Sequence, residues 1–234
     1  MILALRRNQN QVHVGLMLAL TLSTGLIDAV GYLGLDRVFT GNMTGNVVIL
    51  GMALLGADDL PIIGPVLALL GFVVGAAIAG RVLRSVVDGW THHSTALFGV
   101  VAMILIAVTI ALALIGDVSA TSVQFTATGS LGLAMGIQAG TARHIAVKDV
   151  TTVVVTSTLT GLAADSWFGG GKKQLWKRRL GSVVLIGLGA AIGAMALNIH
   201  LSLGLAISAV ITLAVAIIGA IGASPGKDAT RLQN

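Results

Sequence analysis

The chain divides into eight apolar segments separated by short polar stretches, at roughly 12–35, 38–57, 60–80, 95–116, 119–142, 150–168, 180–198 and 200–222. Each run is continuous and about 20 residues long, the length a helix needs to cross a bilayer. The stretch VVAMILIAVTIALALIG (100–116) holds one hydroxyl and no charge. Membrane strands would instead alternate apolar and polar positions over about ten residues. The pattern therefore predicts an all-α polytopic membrane protein. Two segments break it. Segment 38–57 opens VFTGNMTGN, and segment 150–168 is dense in Thr and Ser, reading VTTVVVTSTLTGLAADS. Polar side chains at membrane depth are costly unless they face protein or a water-filled cavity.

Composition sharpens this. The chain is 56% hydrophobic and 10% charged, against about 25% charged in soluble domains. A soluble fold of 234 residues has too little interior to hide so much apolar surface, and disorder is excluded by the same balance. With no cysteine, disulfides, thiolate metal sites and cysteine nucleophiles are excluded. His13, His92, His93, His144 and His200 are scattered, so no metal site is expected. The net charge of +5 reads as basic loops beside anionic lipid rather than nucleic-acid binding. The opening MILALRRNQNQ is expected to be a basic flank and not a secretory signal.

An internal repeat is visible. Sliding the chain by 107 residues places Gly25–Leu26 on Gly132–Leu133, Thr44 on Thr151, Val47–Val48 on Val154–Val155, Leu55 on Leu162 and Ala57–Asp58 on Ala164–Asp165. Asn42 falls opposite Asp149. The expectation is two four-segment halves, 1–117 and 118–234, each with its polar segment second. The basic residues discriminate two layouts. If all eight segments cross, nine Lys and Arg lie inside and five outside. If the two polar segments enter and return on the same side, thirteen lie inside and only Arg37 outside. The second layout has six full crossings and two broken or re-entrant segments. Three crossings per half make the repeat inverted; eight plain transmembrane helices are the alternative.

GLIDAVGYLGLDRVFTGNMTGNVVILGMAL and GIQAGTARHIAVKDVTTVVVTSTLTGLAADS resemble the YoaK family of bacterial inner-membrane proteins. The resemblance covers most of the chain. It implies a multi-helix membrane protein and carries over no catalytic or binding residue.

Candidate chemistry rests on the residues themselves. Asp28 is the acid deep in an apolar stretch of the first half, where an unpaired carboxylate is expensive. It reads either as an interior packing bond or as a substrate or proton site. Its repeat mate is Met135, and Gln138 is the polar group of comparable reach on the matching helix. Asn42, Thr44 and Asn46 lie in TGNMTGN, where Asn or Thr can cap a following half-helix and leave amides near the midplane for an anion or polar solute. Asp149 and Thr151, with Thr152, Thr156 and Thr160, stand in the matching place, and Thr44 and Thr151 are expected to converge on one pocket. Lys148 reads as a loop charge. Arg81, Arg84 and Trp90 read as interfacial anchors, and GGGKKQLWKRR (169–179) as a basic loop lacking P-loop spacing. No nucleophile elbow or paired-His motif points to catalysis, and no cofactor is implied.

The expected function is a small secondary transporter or channel-like carrier for a small polar solute or ion across the inner membrane. A non-transporting scaffold or regulator of a partner protein is the alternative. The expected surroundings are the lipid bilayer, with both termini cytoplasmic. Nucleic acid is not an expected partner, and a homo-oligomer is compatible with this reading.

Overall fold

A computed structural model describes residues 9–115, 120–147, 155–167, 169 and 176–222. These residues form α1 (Gln9–Gly34), α2 (Met43–Ala53), α3 (Ile63–Leu83), α4 (His92–Leu114), α5 (Thr121–Ile145), α6 (Val155–Ala164), α7 (Trp176–Leu197) and α8 (Leu201–Gly222). Each apolar segment of the sequence overlaps one of these helices, with ends that differ by a few residues. Five of them (α1, α3, α4, α7 and α8) are long and apolar enough to cross a membrane. The sixth long helix, α5, has 25 residues, about 37 Å, and is more polar because much of it is buried. The protein is a polytopic helical membrane protein.

α1 and α5 form the centre. In its apolar window 72% of α1 is buried, against 22% for α3 and 22% for α7. α3 and α7 turn rows of large apolar side chains outward, among them Leu70, Val73 and Val74 on α3 and Val184, Leu188 and Met195 on α7. Lipid covers such faces at no hydrophobic cost. Extensive contacts join α3 to α5, α1 to α7, α4 to α8, α1 to α8 and α4 to α5, while α2 rests on α3 and α6 on α7.

Glycine sets the closest of these approaches. A Cβ at Gly71 would strike the carbonyl of Gly129 and approach the amide of Leu133, and one at Gly75 would strike the carbonyl of Leu133. On the other side of the bundle, a Cβ at Gly189 would strike the carbonyl of Leu22 and approach the amide of Leu26, and one at Gly193 would meet the carbonyl of Leu26. Reciprocally, Gly132 lies on the carbonyl of Ala68 and Gly25 on that of Ile186. Small residues let helix backbones touch where lipid supplies no hydrophobic drive for association.

Packing also shows which ends lie together. At one end His13 of α1 stacks on Trp90 with ring centroids 5.4 Å apart, and Leu16, Ile145 and Val215 join the same cluster. The start of α1 therefore lies beside the end of α5, and the two run antiparallel. At the other end Gly34 meets Leu197 and Leu201. Trp90 is 6% exposed and its indole N–H donates to Thr95 Oγ1 at 3.0 Å. This corrects the interfacial reading of Trp90: the ring closes the bundle from inside.

Candidate functional site

Segment 38–57 does not form one spanning helix. α2 has 11 residues, about 16 Å, roughly half the hydrocarbon thickness. After α1 the chain turns through Asp36 and Arg37, both with positive φ (59° and 56°), and then runs back alongside α1. Phe39 stacks on Tyr32, with ring centroids 4.8 Å apart, and Thr40, Gly41 and Asn42 arrive beside Asp28, more than a helical turn inside the end of α1. From there α2 carries the chain back, and the Arg37 guanidinium donates to the Asp58 carbonyl at 3.5 Å. Both ends of the segment thus meet.

Asp28 holds the tip of this loop. Its Oδ1 accepts from the backbone N–H groups of Gly41 (2.6 Å), Thr40 (3.0 Å) and Asn42 (3.4 Å), and from the Thr40 hydroxyl (3.4 Å). Asp28 is 9% exposed and Thr40 is fully buried. These amides lie just ahead of α2, near the positive end of its dipole, so a carboxylate there offsets both their burial and the dipole. Gly41 sits in a tight space: a Cβ there would come within 3.1 Å of Thr24 Cγ2 and 3.2 Å of Met135 Cε. That crowding ties the loop to both central helices.

Asn42 and Asn46 fix the start of α2. The Asn42 side chain accepts from Gly45 N–H at 3.2 Å, as an N-cap should. Asn46, fully buried, accepts from Phe39 N–H at 2.9 Å and donates to the Phe39 carbonyl at 2.6 Å. Both ends of its amide are thus spent on the chain. Gln138 of α5 donates through Nε2 to Thr24 Oγ1 at 3.0 Å, joining α5 to α1 one turn from Asp28. Its Oε1 is buried and has no partner among the described residues.

The structure therefore brings Asp28, the Asn42 backbone and Gln138 into one cluster, through Thr24, Thr40, Gly41 and Met135. Thr44 is exposed on α2 and takes no part in it. Lys148, Asp149, Thr151 and Thr152 lie outside the described residues, so the expected convergence of Thr44 and Thr151 falls partly beyond them. Thr156 and Thr160 are exposed on α6, where the Thr160 hydroxyl donates to the Thr156 carbonyl at 2.9 Å. Sequence reasoning missed Thr24 and Thr40. Thr24 could have been found as the hydroxyl one turn before Asp28, on the same face of α1.

Elsewhere on the molecule, Arg179 of α7 pairs with Asp165 (2.9 Å) and donates to the Gly161 carbonyl (2.6 Å), fastening the end of α6. A cleft of about 240 Å³ opens between α4 and α5, lined by residues that include Leu112, Ser122, Thr126 and Ser130. It includes none of the Asp28 cluster.

Comparison with known proteins agrees with a membrane fold. The chain is 30% identical over 151 residues to the UPF0700 transmembrane protein YoaK of Bacillus subtilis (strain 168), an alignment covering 64% of this chain and 65% of that protein. No solved structure matches the chain. A family model described as protein of unknown function (DUF1275) matches residues 16–218. This multi-pass membrane chain therefore belongs to the DUF1275 family, with a YoaK protein among its relatives.

Proposed function

We propose that the protein is a small secondary transporter or channel-like carrier for a small polar solute or ion, built from two inverted halves, 1–117 and 118–234. In this reading it resides in the inner membrane with both termini cytoplasmic, and it performs no catalytic step. The observation that carries it is the Asp28 cluster. A carboxylate at membrane depth sits where the first helices of the two halves cross, at the tip of a chain segment that enters and returns. Ionisable groups inside a bundle mark substrate and ion pathways. Broken segments at the interface of inverted repeats are where transporters bind their cargo.

The repeat has support beyond sequence. Exchanging α1–α4 for α5–α8 turns the set of packed pairs into itself: α1 with α7 becomes α5 with α3, α1 with α8 becomes α5 with α4, and α2 with α3 becomes α6 with α7. The correspondence reaches individual residues. The 107-residue shift from α1 to α5, with a constant shift between α3 and α7, converts Gly25 on Ile186 into Gly132 on Ala68. It likewise converts Gly189 on Leu22 and Leu26 into Gly71 on Gly129 and Leu133. The antiparallel course of α1 and α5 supports reading the relation as an inversion. The contact between Arg37 and Asp58 favours return of segment 38–57 to the face it entered.

A non-transporting scaffold is favoured by one observation: Asn46 and Asp28 Oδ1 spend their bonds on locking the chain, as a purely structural device would. A flux assay in proteoliposomes over a panel of ions and small polar solutes separates the readings. Uptake of one class by the wild type, absent in Asp28→Asn, is the expected result. No flux of any solute by folded wild-type protein would defeat the transport reading.

A further inference from the structure

The sign of what the Asp28 cluster can hold follows from its hydrogen bonds. The Thr24 hydroxyl donates its one proton to the Leu20 carbonyl at 2.9 Å, so toward Gln138 it can only accept. With that bond kept, the amide nitrogen of Gln138 is the atom 3.0 Å away, the orientation in which the hydroxyl serves both neighbours at once. The oxygen Oε1 is then an acceptor without a donor in a side chain that is fully buried. Asp28, 9% exposed, also keeps acceptor capacity. Its Oδ1 takes every bond the carboxylate makes to the loop, and Oδ2 takes none of them. Meanwhile the amides of Thr40, Gly41 and Asn42, just ahead of α2, are already engaged by Asp28. The donors that face Asp28 are engaged by it, while the Gln138 oxygen has no partner among the described residues.

We propose that this cluster binds a small monovalent cation between the carboxylate of Asp28 and the amide oxygen of Gln138. The inference deepens the transporter reading and rests on it for its physiological meaning. Charge sets the valence. One carboxylate balances one positive charge, and among the described residues no group of three or more His, Cys, Asp or Glu could hold a metal ion. A divalent ion would leave an uncompensated charge in a medium of low dielectric. The oxygen ligands suit a hard alkali ion or an ammonium, whereas softer metals favour nitrogen and sulfur. Met135, whose methyl lies by Gly41, supplies an apolar wall.

The test is cation-dependent stability of the purified full chain in detergent, at fixed pH and matched ionic strength. Sodium, lithium, potassium and ammonium are each compared with choline, which is too large to enter. At least one small cation should raise the unfolding temperature by about 3–6 °C at ten times its dissociation constant. Gln138→Met should weaken that ion at least about tenfold, measured against the variant's own unfolding temperature in choline, which also falls because the bond to Thr24 is lost. Thr24→Val, which releases the amide from its fixed orientation, should weaken binding in the same direction. Equal unfolding temperatures in all four cations and choline overturn the proposal. Unchanged affinity in a folded variant at Gln138 or Thr24 also overturns it, as does stronger stabilisation by magnesium or calcium. Cation binding without flux of any solute would defeat the transporter reading and leave this site standing. Solute flux without cation binding would do the reverse.

Discussion

Replacing Asp28 by Asn and by Leu separates the charge from the acceptor. Asn keeps an oxygen where Oδ1 lies and cannot ionise. The two short bonds, from Gly41 at 2.6 Å and Thr40 at 3.0 Å, then change from charge-assisted to neutral, a loss of about 1 kcal/mol each. The net cost is about 2 kcal/mol, or roughly 4–8 °C in unfolding temperature for a chain of this size. Asp28→Leu removes the acceptor and strands the amides of Thr40, Gly41 and Asn42 in a buried site. At about 1–3 kcal/mol per orphaned donor, the cost is at least about twice that of Asn, and the loop tip has no reason to stay on α1. Differential scanning fluorimetry in detergent reads both variants, and proteoliposome flux reads the first. Asp28→Asn is expected to express and fold but not transport, whereas Asp28→Leu is expected to express poorly. If Asp28→Leu unfolds at the same temperature as Asp28→Asn, Asp28 does not hold the loop tip and the reasoning fails. Full flux through Asp28→Asn would remove the charge from the mechanism.

Cysteines placed at Arg37 and Asp58 should react with an impermeant maleimide from the same side of the membrane, and one at Arg84 from the opposite side; labelling of Arg37 and Asp58 from opposite sides would mean that α2 crosses. Gly71→Leu and Gly189→Leu should each destabilise by several kcal/mol, because each side chain would enter the backbone of a central helix, whereas Gly51→Ala and Gly187→Ala, with nothing within 4 Å, should be neutral or stabilising by up to about 1 kcal/mol; equal unfolding temperatures across the two pairs would refute the packing. Thr44→Val should leave stability and solute affinity near wild type, because Thr44 is exposed on α2; a marked drop in affinity would return Thr44 to the site. Trp90→Ala should destabilise by about 3–5 kcal/mol, since the indole is buried against His13 and Phe98; a change under 1 kcal/mol would restore the interfacial reading.

Much of the helical architecture was legible because lipid imposes a simple rule: about 20 apolar residues for each crossing. The oddity of segment 38–57 was legible too, since TGNMTGN offers caps and turns where a spanning helix needs neither, and Asn42 does cap α2. The partner of Asp28 was not. A carboxylate in an apolar run announces that something must pair with it, but periodicity on α1 cannot say that the pairing groups are amides of Thr40 and Gly41, which backbone hydrogen bonding leaves without any side-chain signature. Asn46 looked like a solute ligand for the same reason: its use on both sides of Phe39 depends on how the loop closes. Trp90 misled because a tryptophan after a helix ending in arginine is common at interfaces, and nothing local says that His13, far earlier in the chain, stacks on it.

In the two-half reading proposed above, the halves diverge where they meet, and the divergence has a physical basis. The 107-residue shift pairs Asp28 with Met135, and both border Gly41, which brings them into one neighbourhood near the crossing of α1 and α5. A strictly symmetric centre would place two carboxylates there. Like charges a few ångströms apart in a low-dielectric medium repel strongly, and both cannot remain ionised. Methionine fills the matching space with a flexible apolar chain that adapts to an irregular gap. Helix contacts away from the centre keep matching glycines, because backbone approach is equally demanding on both sides. Symmetry is therefore retained where packing sets the constraint and lost where charge does. The asymmetry leaves one ionisable group at the crossing, and a single charge suits the site to a single counter-charge.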